Sequence, residues 1–244
     1  MRHAIISDIH SNLEALQAVL GEIARLRADT VYCLGDIVGY NANPNECVAI
    51  IRSEGIRSVL GNHDSRAAGL EDADDFNPYA ADAIRWTREQ LVQENADYLR
   101  DLPRELVVND LMLFHGSVHD TDRYILYRKD ILDNFRLLQE VPGAPRIGLF
   151  GHTHIKMAVA LAQGTPFLVE NGPLPLHKDQ QYLINPGSVG QPRDGDPRAA
   201  FCVYDDSEQM VTFHRIEYDV LACQAKIIRA GLPIRLAERL AMGR

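Results

Sequence analysis

The sequence predicts an α/β fold in which two β-sheets pack face to face with helices on their outer sides. Two observations carry this. Apolar runs alternate with amphipathic stretches in the first half, and hairpin-spaced apolar runs crowd the second. The length of 244 residues suits one domain with core enough to need no staple. No linker, internal repeat or low-complexity tract divides it, so residues 1–244 are expected to form a single domain.

The elements follow in order. Ala4-Ile5-Ile6, Val31-Tyr32-Cys33-Leu34 and Arg57-Ser58-Val59-Leu60 read as buried strands of a parallel sheet. Between the first two, Leu13, Leu16, Leu20 and Ile23 recur at helical spacing, with Ser11 and Glu14 fitting a capping box. A second crossover helix is expected over 45–53, with Pro44 near its start. Residues 78–101 form a longer, more polar helical stretch that carries Trp86, the one tryptophan. Two β runs, 105–108 and 111–114, flank the turn pair Asn109-Asp110. A helical stretch over 129–140 is broken at Pro142-Gly143-Ala144-Pro145. Thereafter the pattern is mostly β, over 146–150, 155–161, 166–170, 181–184, 199–204 and 210–218, before short helices over 219–230 and 234–241.

Composition narrows the function. The formal net charge is −9, from 34 acidic against 25 Lys and Arg residues. Such a surface repels extended nucleic acid, whose non-specific binding depends on neutralising many phosphates. No apolar run approaches the roughly 20 residues of a spanning helix, and the chain reaches Asp8 too early for a secretory h-region. Cys33, Cys47, Cys202 and Cys223 are widely spaced and read as buried apolar side chains. A cytoplasmic protein is expected, and the sequence leaves a homodimer open.

The chemistry lies where the apolar runs stop. Ligands of open α/β sheets collect beyond the carboxyl ends of strands. There the chain reads Asp8-Ile9-His10, Gly35-Asp36, Gly61-Asn62-His63-Asp64, His115-Gly116 and Gly151-His152-Thr153-His154. In an extended chain residues i and i+2 point the same way, so Asp8 and His10 are expected to share one ion. His152 and His154 form a second such pair, suited to adjacent ions. One Gly-Asp or one histidine is usually a turn or a hydrogen-bonded structural residue. Five apolar runs that each end in metal-competent residues, in one order, need a common cause.

These ordered blocks resemble the calcineurin-like metallophosphoesterase superfamily, with every motif position filled between residues 8 and 154. The segment Asn185-Pro186-Gly187-Ser188-Val189-Gly190-Gln191-Pro192-Arg193 is similar to one in the small bacterial and archaeal phosphoesterases of that superfamily. The resemblance implies a four-layer αββα sandwich of two mixed sheets. It also implies two divalent metal ions, one held by Asp8, His10 and His154, the other by Asn62, His115 and His152, with Asp36 bridging. A hydroxide between the ions would attack phosphorus in line with the leaving group. His63 would stabilise the transition state and protonate the leaving oxygen, with Asp64 orienting its ring.

The donors are N and O without sulfur, which suits Mn, Fe or Zn better than Mg. Arg193 is a candidate to grip a phosphate and Asn12 to steady the first metal loop, where a helix-start role is as good a reading. Tyr40, Arg66, Arg123 and Tyr124 lie on loops near the motifs and read as surface or packing. The expected activity is hydrolysis of a small phosphoester, foremost a phosphodiester. The alternatives are a protein or phosphomonoester phosphatase or a dinucleoside polyphosphate hydrolase on the same metal core, and a non-catalytic metal-binding scaffold of this fold.

Overall fold

A computed structural model describes residues 1–168 and 172–244. One six-stranded sheet runs, edge to edge, β3 (Arg57–Ser58), β2 (Thr30–Cys33), β1 (Arg2–Ile6), β11 (Ala199–Asp205), β12 (Met210–Ile216) and β9 (Leu174–Pro175). The other runs β4 (Glu105–Val108), β5 (Leu111–Phe114), β6 (Ile147–Leu149), β10 (Gln181–Asn185), β7 (Met157–Ala162) and β8 (Thr165–Leu168). Both sheets are mixed. β1, β2 and β3 are parallel, as are β5, β6 and β10, while hairpin neighbours are antiparallel. The β run expected over 166–170 is described only as far as Leu168; Val169 and Glu170 lie outside the described residues.

The layers follow from the two-residue period of a strand. In β1, Ile5 faces inward and joins Tyr32, Leu113, Leu149, Tyr182 and Cys202 between the sheets. Its neighbours Ala4 and Ile6 face outward, onto Leu16 and Val19 of α1 (Leu13–Leu26) and Val48 and Ile51 of α2 (Pro44–Ser53). β5 repeats the scheme on the other side. Leu111 and Leu113 turn to the inner core, and Met112 and Phe114 meet Phe135 and Leu138 of α6 (Arg128–Glu140). The result is helix, sheet, sheet, helix, the expected four-layer sandwich.

Three local expectations change. The run 57–60 pairs only at Arg57 and Ser58, after which the chain turns at Gly61 into α3 (Asn62–Ala67). The stretch 78–101 is two helices, α4 (Pro78–Gln90) and α5 (Gln93–Arg100), with Leu91 and Val92 extended between them. Asn45, on α2, holds that break: its Nδ2 donates to the Gln90 carbonyl at 2.8 Å and its Oδ1 accepts from Val92 N at 3.0 Å. The cap of α1 is Asn12, whose Oδ1 accepts from Ala15 N, while Ser11 Oγ accepts from Gly39 N instead.

The chain finishes in α7 (Val220–Arg229) and α8 (Ile234–Leu240). Cys223, Ile227, Leu236 and Leu240 pack with Ala80 and Ala83 of α4 around Tyr40. All four cysteines are free and buried, and burial pushes their thiols up. No helix among the described residues is long and apolar enough to cross a membrane.

Candidate metal centre

The residues expected to bind metal stand just past β1, β2, β3, β5 and β6, all in loops except Asn62, which opens α3. Five of the seven, Asp8, His10, Asp36, His152 and His154, have left-handed backbones, with φ between 48° and 65°. That conformation costs a non-glycine residue about 1–3 kcal/mol and persists only where the surroundings impose it. Asp8 and His10 therefore converge through two sharp left-handed turns, not along an extended strand as the sequence suggested. Gly61 permits the approach of Asp36: a Cβ on it would overlap the Asp36 backbone N and Oδ1.

Two groups of donor atoms result. Asp8, His10, Asp36 and His154 each present one within 4.8 Å of the others, and so do Asp36, His115 and His152. Asp36 belongs to both. Its Oδ1 accepts from His63 N at 2.9 Å, while its Oδ2 is buried with no hydrogen-bond partner, 3.5 Å from His10 Nε2 and 3.2 Å from His115 Nε2. Asn62 joins the second group, with its Oδ1 3.1 Å from His115 Nε2.

Each histidine commits one ring nitrogen to a backbone carbonyl. Nδ1 of His10, His115 and His154 meets the carbonyls of Val38, Leu34 and Gln191, at 3.0, 2.7 and 2.6 Å. Nε2 of His152 meets the Asp122 carbonyl at 3.0 Å. A carbonyl only accepts, so these nitrogens carry a proton, and in the neutral ring the opposite one keeps its lone pair, the arrangement by which proteins orient imidazole ligands. The Nε2 atoms of His10 and His154 face each other at 3.1 Å. These residues fit a divalent cation: imidazole nitrogens and a carboxylate oxygen without a hydrogen-bond partner converge in one buried place.

Electrostatics agree. Burial lowers His10 and His152 to about 3 and holds His154 well below its ordinary value, so all three are neutral and ready to donate. Burial raises Asp8 to about 6, against the pull of His115. His115 behaves differently: burial opposes its charge, but adjacent Asp36 prevails and lifts it to about 10. An ion held by His115 would have to displace the second proton that Asp36 favours there.

His63 lines the same cavity, of about 230 Å³, together with Asp36, Asn62, His152, His154 and Arg193. Its ring packs among His10, Tyr40 and Phe76. Gly39, at φ 101°, passes so near that a Cβ there would strike His63 Nδ1. Asp64 does not orient that ring. Its carboxylate accepts from Val38 N at 3.0 Å and Gly61 N at 3.2 Å, which ties two metal loops together at the start of α3. Burial and the charge of Asp36 raise Asp64 to about 7.

Asn12 also lies away from the cavity lining, with both ends of its amide committed. Oδ1 caps α1 and Nδ2 donates to the Gly190 carbonyl at 2.9 Å. It braces the Asp8 loop and has no free atom for a substrate. Arg193 is half-buried and lines the cavity; its Nη2 lies 3.0 Å from Gln191 Oε1 and 3.4 Å from the Tyr40 hydroxyl. Among the described residues no carboxylate pairs with it. The segment 185–190 backs the loops: Asn185 Nδ2 donates to the Gly151 carbonyl and Ser188 Oγ to that of Asp8.

The sequence reading missed several lining residues. Tyr40 and Tyr124, read as surface or packing, line the cavity beside Phe76, Asn77 and Asp122. Arg66 is buried, whereas Tyr124 and Arg123 are both exposed, Arg123 being paired with Asp130 and Asp133. Their short distances along the chain from Asn62, His115 and Asp36 were the available signal.

Comparison with known proteins agrees with this geometry. The sequence profile of the calcineurin-like phosphoesterase superfamily domain matches residues 1–209. An uncharacterized protein of Methanocaldococcus jannaschii is 42% identical over 245 residues, covering 99% of this chain and 98% of its own. The crystal structure of a metallophosphoesterase from Sphaerobacter thermophilus shares 40% identity at a TM-score of 0.85, covering 100% of this chain and 99% of that one. A hypothetical protein of Pyrococcus horikoshii has the same fold, with 23% identity, a TM-score of 0.84 and coverage of 100% and 98%. The buried Asp and His groups mark a divalent-metal site, and the match spans every loop that builds it. This chain belongs to the calcineurin-like phosphoesterase superfamily.

Proposed function

We propose that this protein hydrolyses a small phosphodiester, with Asp8, His10 and His154 holding one divalent ion, Asn62, His115 and His152 a second, and Asp36 touching both. When bound, such a pair neutralises phosphate charge and supplies a water acidic enough to ionise near neutral pH. The observation that carries the reading is one cavity with two kinds of residue. Ligand-ready Asp36, Asn62, His152 and His154 share it with His63 and the carboxylate-free guanidinium of Arg193. Arg193 grips a non-bridging phosphate oxygen through charge-assisted hydrogen bonds. Tyr40, pressed under Arg193 with its ring centroid 5.7 Å away, fixes the direction of that grip.

His63 meets the leaving oxygen. Burial first, and neighbouring His10 with it, hold the ring well below its ordinary value, against the pull of Asp36. A bound phosphoester brings negative charge that works the other way, and a proton on His63 then passes to the departing alkoxide. The cavity of about 230 Å³ is below the roughly 300–1,000 Å³ of most ligand sites. It takes a phosphoryl group and one small substituent, which favours a compact ester over a nucleotide enclosed whole.

The test is a substrate screen on metal-reconstituted protein with phosphodiesters, monoesters, diadenosine polyphosphates and phosphopeptides. Fastest turnover of a small diester supports the reading. Preference for a monoester, a phosphopeptide or a polyphosphate replaces it with that activity on the same core, and no turnover of any class makes the protein a scaffold.

A further inference from the structure

Asp122 and Arg66 carry no assigned role, yet together they touch one half of the metal centre. Asn62 offers an amide whose two ends are nearly identical in shape and opposite in chemistry. Only the oxygen end can donate electrons to a cation. Asp122 Oδ1 accepts from Asn62 Nδ2 at 3.0 Å, which leaves Asn62 Oδ1 facing His115 Nε2. The backbone carbonyl of the same Asp122 takes the Nε2 proton of His152 at 3.0 Å, which leaves Nδ1 with its lone pair. One residue thus fixes an amide with its side chain and an imidazole tautomer with its backbone.

Arg66 holds that residue in place. It lies one helical turn beyond Asn62 in α3, and its side chain is only 5% exposed. Nη1 is 3.0 Å from Asp122 Oδ1 and 3.3 Å from Oδ2, and also donates to the Asn62 carbonyl at 3.3 Å. Nη2 binds Asp75 at 2.8 Å, and the Phe76 ring centroid lies 4.4 Å from the guanidinium carbon. The arginine therefore clips the 120s loop to α3 and to the 70s segment. Among the described residues, neither Arg66 nor Asp122 hydrogen-bonds to Asp8, His10 or His154.

We propose that Asp122, clamped by Arg66, is a positioning residue for the Asn62–His115–His152 half of the centre and not for the other half. The inference rests on the two-ion reading above. Partners that orient metal ligands typically influence metal affinity by about 10–100-fold, so the expected signature is an asymmetry between two neighbouring sites.

The experiment titrates metal-free wild type, Asp122→Ala and Asp122→Asn with Mn²⁺, and reads each site separately by anomalous scattering from crystals equilibrated at graded Mn²⁺. Asp122→Ala should weaken the site beside Asn62 by about 10–100-fold and leave the site beside Asp8 unchanged, with the metal-free melting temperature near that of wild type. Asp122→Asn keeps an acceptor oxygen for Asn62 Nδ2 and should recover most of the loss. Unchanged affinity at both sites in Asp122→Ala overturns the proposal. Equal weakening of both sites with a lower metal-free melting temperature also overturns it, as a merely structural effect. Wild type binding a single ion would end the two-ion reading itself, an outcome visible before any variant is made.

Discussion

His10 and His154 bring their Nε2 atoms to 3.1 Å of one another, although 144 residues separate them and each Nδ1 is already bonded to a carbonyl. Two lone pairs at that distance repel unless a cation lies near both. Saturating metal should therefore stabilise the fold as well as activate it. At a hundredfold excess over Kd the gain is about 2.7 kcal/mol per site, or a melting shift of roughly 5–10 °C for a chain of this size. Scanning calorimetry with Mn²⁺ and with a chelator measures it; identical melting in both would show that this pair holds no ion.

Asp36→Ala should reduce metal content more than Asp8→Ala, Asn62→Ala or His152→Ala. Asp36 is the one residue common to both donor groups, and its unpartnered Oδ2 lies within 3.5 Å of a histidine from each. Elemental analysis across the four variants decides, and equal loss in all would mean that Asp36 does not serve both halves.

His63→Ala should keep its metals and lose turnover by about 10²–10⁴. The ring lines the cavity without belonging to either donor group. The loss should shrink for esters of good leaving groups such as nitrophenolate, which need little protonation. A fall of equal size for good and poor leaving groups removes the proton-donor role.

Arg193→Ala should lower kcat/KM by an amount equivalent to about 1.5–3 kcal/mol, with metal content unaffected. Arg193→Lys should restore only part of it, because an ammonium lacks the planar fork that also lies against Tyr40. Wild-type kcat/KM in Arg193→Ala would leave the guanidinium without a part in binding.

Much of this was legible in the sequence because strands bury apolar residues and stop where polar ones begin. The apolar runs ending at Asp8, Asp36, Asn62, His115 and His152 mark one end of the sandwich without any coordinates. What escaped were contacts between distant segments. The break at Leu91 is held by Asn45, and the helical period of 78–101 holds no trace of it. The family resemblance gave Asp64 the task of orienting His63, whereas α3 points its carboxylate back at Val38 and Gly61. Asn12 serves both roles that its position offered, since it caps α1 and its Nδ2 braces the Asp8 loop through the distant Gly190 carbonyl.

The metal loops come from both sheets: Asp8, His10 and Asp36 follow strands of one, His115, His152 and His154 strands of the other. No single sheet carries a complete donor group, since His154 completes the first and Asp36 the second. The centre therefore exists only once the sheets have docked, a contact between segments far apart in the chain. A metal ion bound there should act as a latch across the finished sandwich, slowing its unfolding more than it speeds its formation. Metal uptake during refolding would serve as a clock for that docking step.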